Sequence, residues 1–447
     1  MSARHWSSTW SERVIVAHEG HMKDFAVVGG GIAGLAVAEM LQRSGASVVL
    51  IEKNKTLCAE ASAEQQGWFH TGALYTALPN NFFCRTMVGN LDDLVDYYGE
   101  FPNMNLRVDK HIYTTNRDGW FSNRTNFYAY TSCAGVSWKW KLPWAVALHR
   151  AKRRMSWFET LDASRSLSHQ LGFGAKPLQY VVHRSSLGVS LDHVAFALKS
   201  RDRAMNTRLI AVDLLRSFLA SGGSVQTQTK VLGLEKGAVL AKEAGGEASV
   251  KIPARHVILA TGKDTTAFET NTKVFISPLM VVYPALTDIN FVRMSPHMEK
   301  TINHICHRNN GLEYSLIGNA VYHDAQQGTG AVLERVRANM LGLASRVFGQ
   351  VDAKNADLFF GYKTEVSSSS SIRNYLYHIL DRGDYTLALP GKFSLCFSLA
   401  VNVCRHFGIE PVEQSRLAEP EAAQALIEEP LHYQMAKRLA DQHRTCA

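Results

Sequence analysis

The sequence predicts an α/β fold that begins with a strand, a glycine-rich turn and a helix. Residues 25–28 are apolar and predict a short buried strand, and residues 32–44 carry the apolar spacing of a helix. A glycine motif, residues 29–34, lies between them, and a second apolar run, residues 47–51, ends at Glu52. An acid about 20 residues after such a turn is typical of a Rossmann-type unit that binds a dinucleotide.

Each glycine of the motif Gly29-x-Gly31-x-x-Gly34 has a physical task in that interpretation. Gly29 permits the tight turn, Gly31 lets the backbone approach a pyrophosphate, and Gly34 lets the helix pack closely on the strand. The first N–H groups of the helix, at Ile32 and Ala33, would face the phosphates. A glycine turn that serves packing alone is the alternative.

The acid after the second strand predicts which dinucleotide is bound. Glu52 would accept hydrogen bonds from ribose hydroxyls, and its negative charge disfavours a 2′-phosphate. Lys53 follows it and is included among the predicted cofactor contacts. One such fingerprint is present, so a separate domain for a nicotinamide cofactor is not indicated.

Composition excludes several other classes of protein. At 447 residues the chain is long enough for two domains. It has no apolar run of about 18 residues, so no transmembrane segment is indicated. Its seven cysteines are scattered without C-x-x-C pairs, which favours a reduced, cytoplasmic protein without a metal site. The net charge of +8 favours an anionic substrate or an acidic partner, and no basic block indicates nucleic acid.

A second motif lies between residues 61 and 75, where Ser62 precedes His70 by eight residues and Gly72 and Tyr75 follow. This pattern resembles the D-amino acid oxidase superfamily of FAD enzymes, and within it the L-2-hydroxyglutarate and glycerol-3-phosphate dehydrogenase branch. The resemblance implies FAD as cofactor, with Ser62 at its phosphates or ribose and His70 beside the flavin ring. Without the resemblance, His70 would be a structural histidine.

The same resemblance implies cofactor contacts later in the chain. The backbone of a strand would touch the adenine, an apolar strand at 256–260 would end beside the dinucleotide, and a Pro-Gly turn before a helix would face the pyrimidine edge of the flavin. A helix N-terminus there would stabilise the charge of reduced flavin. The matching residues are Val231, Thr261, Gly262, Gly391, Lys392 and Phe393.

The sequence departs from the family where the substrate carboxylate would bind. Relatives carry Gly-x-Arg, whereas this chain has Gly361-Tyr362-Lys363. A lysine is a point charge and cannot hold a carboxylate through two parallel hydrogen bonds. Arg373 is the candidate replacement, and Lys363, Arg373 and Lys392 are together the candidate anchors for an anionic group.

These patterns predict two interleaved domains: a Rossmann-type FAD-binding domain and an α+β substrate domain. We expect residues 1–21 to form a disordered extension. The FAD-binding domain is predicted at 22–84, 185–262 and 361–447, and the substrate domain at 85–184 and 263–360.

One motif in the predicted substrate domain favours a different chemistry. Trp138-Lys-Trp-Lys-Leu-Pro143 is similar to the W-x-W-x-I-P signature of flavin-dependent halogenases. The alternative is a tryptophan-rich strand edge. The basic run that follows, His149–Arg154, predicts a solvated helix face, or else a contact with an acidic partner or a membrane surface.

The combined prediction is an FAD-dependent dehydrogenase or oxidase. It would take a hydride from a carbon that bears a hydroxyl or amine in a small, anionic substrate, with His70 as the base. The electrons would pass to oxygen, a quinone or another carrier. A flavin-dependent halogenase or monooxygenase, and a non-catalytic flavoprotein, are the alternatives.

Overall fold

The structure is a computed structural model. It describes residues 15–17, 21–79, 82–108, 112–114, 119–124, 126–134, 136–162, 189, 193–200, 202–324, 330–366 and 376–446. Arg373 lies outside the described residues, as does most of the predicted extension.

Nine strands form the first sheet of the described residues. Six of them follow in the order Ser224–Gln226, Val48–Ile51, Lys23–Val28, Ser249–Leu259, Ala238–Glu243 and Thr229–Glu235. The first four are parallel, and the last two form an antiparallel hairpin. Three further strands belong to this sheet. Ile15–Ala17 lies inside the region predicted to be disordered and pairs with Ser249–Leu259. Thr386–Leu389 also pairs with Ser249–Leu259, and on its other side with His378–Asp381.

Helices cover one face of this sheet. Ile32–Arg43 packs against Thr207–Ala220 and Cys396–His406, and Phe82–Tyr98 packs on the last of these. The helix after the glycine turn is buried over its first ten residues because it lies between the sheet and these neighbours. Parallel strands with covering helices are the expected consequence of buried, continuously apolar strands such as Val48–Ile51.

The second sheet has eight strands among the described residues. They are Asn126–Thr131, Val194–Ser200, Thr272–Val282, Asn290–Met294, Ile302–Asn309, Leu312–Asn319, His323–Asp324 and Ala356–Val366. Helix Gly330–Phe348 covers one face, where it packs on Met280 and Val282. Helix Leu431–Cys446 covers the other face, where it packs on Leu279 and Val281. The alternation of these side chains is the two-residue period of a strand.

The remaining elements are short, apart from one long helix. The two-stranded pairs are Trp68–Phe69 with Arg203–Ala204, and Leu106–Val108 with Ile112–Thr114. Single 3-10 turns are Ala73–Ala77, Gly262–Ala267, Met298–Lys300, Ala353–Asn355 and Phe393–Leu395, and the last helices are Trp138–Asp162 and Pro420–Leu426. In the described part of the chain, no helix combines the length and apolar character needed to cross a bilayer.

The prediction of a strand edge at Trp138–Pro143 is wrong, because these residues begin the helix Trp138–Asp162. Trp140 and Lys141 both donate their backbone N–H to the carbonyl of Ser137, which starts the helix. The alternation W-K-W-K imitates a strand, but Trp144 and Ala151 continue at helical spacing and are buried against Tyr130 and its neighbours. The longer pattern therefore decides the structure.

Candidate active site

A cavity of about 1380 Å³ lies between the two sheets. One side is formed by residues at the carboxyl ends of parallel strands of the first sheet, which is where α/β folds bind ligands. The other side is formed by residues of the second sheet. Arg373 lies outside the described residues, and of the described residues predicted to bind cofactor or substrate, only Gly34 is not part of its lining. Those that line it are Gly29, Gly31, Ile32, Ala33, Glu52, Lys53, Ser62, His70, Val231, Thr261, Gly262, Lys363, Gly391, Lys392 and Phe393.

The glycine turn is as tight as its sequence requires. Gly29 has φ +106°, and a Cβ there would lie 2.4 Å from the carbonyl oxygen of Ala260. A Cβ on Gly34 would lie 1.9 Å from the carbonyl oxygen of Gly29, so Gly34 serves helix packing. A Cβ on Gly31 would meet only the Ser62 hydroxyl, at 3.3 Å. The absence of that Cβ leaves room for a ligand to approach the backbone.

The N-terminus of the helix Ile32–Arg43 also faces the cavity. Ser62 comes from a loop 30 residues away, and its Oγ accepts the N–H of Ile32 at 3.0 Å. The N–H of Ile32, one of the two predicted to face the phosphates, therefore already has a hydrogen-bond partner. The Ser62 hydroxyl can still donate its own hydrogen, so the pair presents a donor to an anion at the positive end of the helix.

Glu52 both shapes the turn and faces the cavity. Its Oε2 accepts the N–H of Gly30 at 2.6 Å, and its Oε1 accepts the backbone and side-chain N–H groups of Asn54, each at 2.8 Å. A carboxylate offers about four acceptor positions. One position therefore stays open for a ribose hydroxyl.

The cation next to Glu52 is already paired. Lys53 Nζ lies 2.9 Å from a carboxylate oxygen of Glu60 and 2.5 Å from one of Asp264. These partners raise the pKa of Lys53 against the lowering effect of burial. Lys53 therefore lines the cavity as a cation whose charge is balanced by two carboxylates, and it does not offer an uncompensated charge to phosphate.

The strand predicted to contact the adenine has an irregularity beside Val231. The pairing of Thr229–Glu235 with Ala238–Glu243 slips between Val231 and Gly233, which leaves Leu232 outside the ladder. Backbone groups at such a bulge are available to a ligand. Gly262 has φ +55°, and a Cβ there would meet open space, so this side of the cavity is also accessible.

The turn before the helix Cys396–His406, where the resemblance implies the flavin, lines the cavity. Gly391 has φ +63°, and Lys392 donates its N–H to the carbonyl of Pro390 at 2.6 Å. Lys392 Nζ lies 5.7 Å from the centroid of the Tyr75 ring, within cation–π range. A tight turn, a lysine and a helix N-terminus thus meet at one edge of the cavity, as the resemblance implies.

These observations fit an FAD molecule. The glycine turn leaves space where a Cβ would stand, Glu52 keeps an acceptor, and the strand bulge and the Pro-Gly turn lie along the same cavity. Its volume exceeds the usual range for small-molecule sites, about 300–1,000 Å³, so it can hold a dinucleotide and a substrate together.

His70 is buried and is held by an acid that the sequence analysis did not identify. Its Nδ1 lies 3.0 Å from Oδ2 of Asp202, which is fully buried. Asp202 Oδ1 accepts the backbone N–H of Thr71 at 2.8 Å and its hydroxyl at 2.6 Å. Tyr128 donates its hydroxyl to Asp202 Oδ2. Because Nδ1 is engaged, Nε2 is the nitrogen that His70 keeps for the cavity it lines.

The electrostatics of this pair favour a neutral imidazole beside a carboxylate. Burial lowers the pKa of His70, and the charges of Lys392 and Lys363 lower it further, against the raising effect of Asp202. Burial alone would raise the pKa of Asp202, but hydrogen bonds from His70, Thr71 and Tyr128 outweigh it and hold the pKa below its ordinary value. The two shifts agree if His70 donates Nδ1–H to an ionised Asp202 and leaves Nε2 unprotonated. We therefore assign that tautomer.

Lys363 faces the same region from the second sheet. Its Nζ lies 3.2 Å from the hydroxyl of Tyr322 and 4.7 Å from the centroid of that ring. Two residues earlier, a Cβ on Gly361 would lie 2.4 Å from the carbonyl oxygen of Glu64, so glycine is needed for the strand to pass that loop. The Gly-x-Lys segment therefore lines the cavity and brings a single cation to it.

Sequence patterns could not have identified Asp202 or Tyr128. Asp202 lies 132 residues from His70 in the chain, in a short segment without a motif. His70 and Asp202 come together because Phe69 pairs with Arg203 in a two-stranded ladder. Asn303, which no motif identifies, also lines the cavity, and among the described residues its buried Oδ1 has no hydrogen-bond partner.

The tryptophan motif lies outside the cavity. None of the residues Trp138–Pro143 contributes to its lining, and Trp138 is 81% exposed. The placement of this motif therefore gives no support to halogenase chemistry.

Comparisons with known proteins agree with this geometry. The family model described as DAO, FAD dependent oxidoreductase, matches residues 24–361. Comparison of the sequence with curated proteins gives no match.

Three solved structures share the fold at low sequence identity. Glycine oxidase from Geobacillus kaustophilus matches with a TM-score of 0.60 at 14% identity over 88% of this chain and 96% of that chain. L-alpha-glycerophosphate oxidase from Mycoplasma pneumoniae, with FAD bound, matches with a TM-score of 0.58 at 13% identity over 89% and 98%. Glycerol-3-phosphate dehydrogenase from Bacillus halodurans, complexed with FAD, matches with a TM-score of 0.54 at 13% identity over 94% and 71%.

At these identities the structures establish the fold alone. The family model covers well over half of the sequence, and it confirms the superfamily and the FAD cofactor that the Ser62–Tyr75 motif implied. The chain therefore belongs to the DAO family of FAD-dependent oxidoreductases.

Proposed function

We propose that this enzyme oxidises a C–OH or C–N bond of a small anionic substrate, with His70 as the base that takes the hydroxyl or amine proton. The observation that carries the proposal is the buried pair of His70 and Asp202 beside a cavity that also receives Lys363 and Lys392. When bound, FAD supplies the acceptor for the hydride that leaves the substrate carbon.

The protein's part in this reaction is to move one proton and hold one anion. His70 Nε2 accepts the substrate proton, and the ring becomes an imidazolium whose Nδ1–H still points at Asp202. The ionised carboxylate stabilises that cation, while the hydrogen bonds from Thr71 and Tyr128 keep the carboxylate in place. General base catalysis of this kind contributes roughly 10²–10⁴-fold to a rate.

The two lysines supply the preference for an anion. Lys363 and Lys392 approach from opposite sheets, and both are close enough to His70 to act on its pKa. An anionic group between them would be held by point charges, since neither lysine can form the two parallel bonds of an arginine. Tyr322, next to Lys363, adds a hydroxyl at the same place.

We also propose a division into domains, a cellular location and an electron acceptor. We keep the division into an FAD-binding domain at 22–84, 185–262 and 361–447 and a substrate domain at 85–184 and 263–360. The helix Phe82–Tyr98 is an exception to this division. Its Leu91 and Leu94 are assigned to the substrate domain but pack in the core of the first sheet. The setting is the cytoplasm, and the electron acceptor is oxygen, a quinone or another carrier.

The test is reduction of the bound flavin without air. The purified enzyme is mixed with single members of a panel of anionic hydroxy acids, amino acids and amines, and the loss of flavin absorbance is followed. We expect at least one anionic member to bleach the flavin with no nicotinamide cofactor present. Bleaching by a nicotinamide cofactor alone would instead indicate a monooxygenase or halogenase.

Two variants connect that result to the site. His70→Asn should retain FAD and lose roughly 10²–10⁴-fold in the rate constant of flavin reduction. The matched control is His304→Gln, because His304 is also a buried histidine but does not line the cavity. Equal rates in parent and His70→Asn would contradict the role of His70, and unchanged in-cell function with His70 and Lys363 both replaced would favour a non-catalytic flavoprotein.

A further inference from the structure

The helix Trp138–Asp162 carries an apolar ridge that faces away from the protein. Trp138, Leu142 and Val146 are 81%, 72% and 44% exposed. They follow one another at intervals of four residues, so they share one face of the helix. Trp140, on another side of the first turn, is 52% exposed, and the buried side of the helix begins at Trp144, about 200° of helical rotation from Leu142. We call Trp138, Leu142 and Val146 the outer ridge.

Basic residues surround the outer ridge. From residue 138 to residue 158 the sequence has six lysines and arginines and no aspartate or glutamate. Lys139 and Lys141 are exposed on either side of the ridge. Arg150 anchors the helix to the body of the protein, because its Nη1 donates to the carbonyl of Ala77 at 3.3 Å. The ridge is therefore an apolar strip with cationic borders on a fixed helix.

We propose that this helix docks the enzyme on the surface of an anionic lipid bilayer, with the outer ridge inserted at the level of the headgroups. Helices that lie in this interface have tryptophan and leucine on the inserted face and lysine and arginine at its borders. Tryptophan prefers the interface because its ring is amphipathic. The charge complementarity selects the occupant, since a stretch of 21 residues without an acid favours negative headgroups over zwitterionic ones.

The length and charge of the helix fix its orientation. It has 25 residues, and the basic residues recur along it, so it lies along the surface and does not cross the bilayer. It packs against the turn Ala73–Ala77, where Leu74 and Tyr75 line the active-site cavity. Docking would therefore bring one wall of the cavity close to the membrane surface.

The probe is a vesicle of defined composition. The full-length holoenzyme is sedimented with vesicles of phosphatidylcholine alone and with vesicles that also contain phosphatidylglycerol, at low and high salt. We expect binding to the anionic vesicles, loss of that binding at high salt, and a blue shift of tryptophan fluorescence. Sedimentation with neither vesicle would overturn the proposal.

Variants separate the ridge from its borders. Trp138→Ser, Leu142→Ser and Val146→Ser together should weaken vesicle binding at least tenfold, because all three side chains are exposed and their loss leaves the core intact. Lys139→Glu with Lys141→Glu should weaken it by more than about 25-fold, at roughly fivefold for each cation lost. The control is Lys236→Glu with Lys354→Glu, two exposed lysines on other elements, which should bind as the parent does.

Two results would contradict docking on lipid. Vesicle binding that is equally weakened by the control pair would mean that net charge alone is responsible. A protein that ignores vesicles, but forms a dimer that the ridge variant abolishes, would mean that the ridge covers a second copy of the chain. Flavin reduction by the ridge variant in solution should equal that of the parent, so failure of this proposal leaves the proposed reaction untouched.

Discussion

Replacement of Asp202 by asparagine should convert His70 to the wrong tautomer. The carboxylate of Asp202 accepts four hydrogen bonds, two from Thr71, one from Tyr128 and one from His70. An asparagine side chain has one acceptor oxygen and one NH₂ group. The fixed backbone N–H of Thr71 requires the oxygen, so the NH₂ turns to His70. Nδ1 must then accept, and Nε2 must carry the proton that it is meant to remove from the substrate.

The size and the pH dependence of the effect follow from the site. Loss of a general base costs roughly 10²–10⁴-fold, which is about 2.7–5.4 kcal/mol of activation free energy. The base must be neutral, so the parent rate rises as the pH increases through the pKa of His70, which burial lowers from 6.5. Asp202 raises that pKa, so its neutralisation lowers the pKa further. The acidic limb of the residual activity should move to lower pH.

The assay is anaerobic stopped-flow reduction of the bound flavin, measured from pH 5 to pH 9 with whichever panel member reduces the parent. Asp213→Asn is the matched control. Asp213 is also fully buried and accepts from Asn103 and Trp120, but it does not line the cavity. This control should lose stability and keep its reduction rate. An Asp202→Asn enzyme that reduces flavin within about threefold of the parent, or whose acidic limb moves to higher pH, would refute the reasoning.

Three further predictions concern the cofactor turn, the anion site and stability. Gly34→Ala should abolish folding or FAD retention, because the added Cβ would lie 1.9 Å from a backbone oxygen. The control Gly342→Ala, in a helix with open space around the added Cβ, should be neutral or raise the free energy of unfolding by about 0.5–1 kcal/mol. Urea unfolding and flavin content distinguish the two variants. Lys363→Gln should raise KM for an anionic substrate with a smaller change in kcat, and an uncharged analogue should not discriminate between the two enzymes in steady-state assays. Buried and neutral, His304 and His307 have pKa values of about 3 and about 4. The unfolded chain therefore binds more protons below pH 6.5, and stability should fall by about 2 kcal/mol per histidine between pH 6.5 and pH 5. Below pH 6.5, His304→Gln should lower by about one the number of protons that calorimetry shows the protein to take up on unfolding. An unchanged proton uptake would contradict the buried, neutral state of His304.

Local patterns were sufficient for the glycine turn and the strands beside it, but not for the whole first sheet, whose strand Ile15–Ala17 lies in the region predicted to be disordered. The strand, glycine motif and helix at Lys23–Arg43 are contiguous, and each glycine has a steric reason that can be seen in the sequence. The second sheet was predicted only as part of an α+β substrate domain, without its strand pairing. Its longest pairing joins Thr272–Val282 with Ala356–Val366, and no local pattern specifies a partner about 80 residues away. At Trp138–Pro143 a local pattern misleads, because the four-residue alternation W-K-W-K imitates a strand. The helical spacing that follows decides the structure.

The candidate site divides in the same way. Gly31 and Glu52 were predicted from one βαβ unit, and Ser62 and His70 were predicted from the motif that resembles the D-amino acid oxidase superfamily; all four line the cavity. Asp202 was not identified, because its role exists only after Phe69 pairs with Arg203. Lys53 lies at the predicted place but is paired with Glu60 and Asp264, since long-range ion pairs leave no trace in the local sequence.

The central claim is that an anionic substrate delivers its hydride to the flavin while His70 takes its proton. Single-turnover reduction of the holoenzyme without air tests it most directly, with an anionic hydroxy or amino acid as the only reductant. We expect the parent to bleach, and the His70→Asn enzyme, with equal FAD content, to bleach roughly 10²-fold or more slowly. Bleaching of both at the same rate, or of neither by anything except a nicotinamide cofactor, would contradict the account.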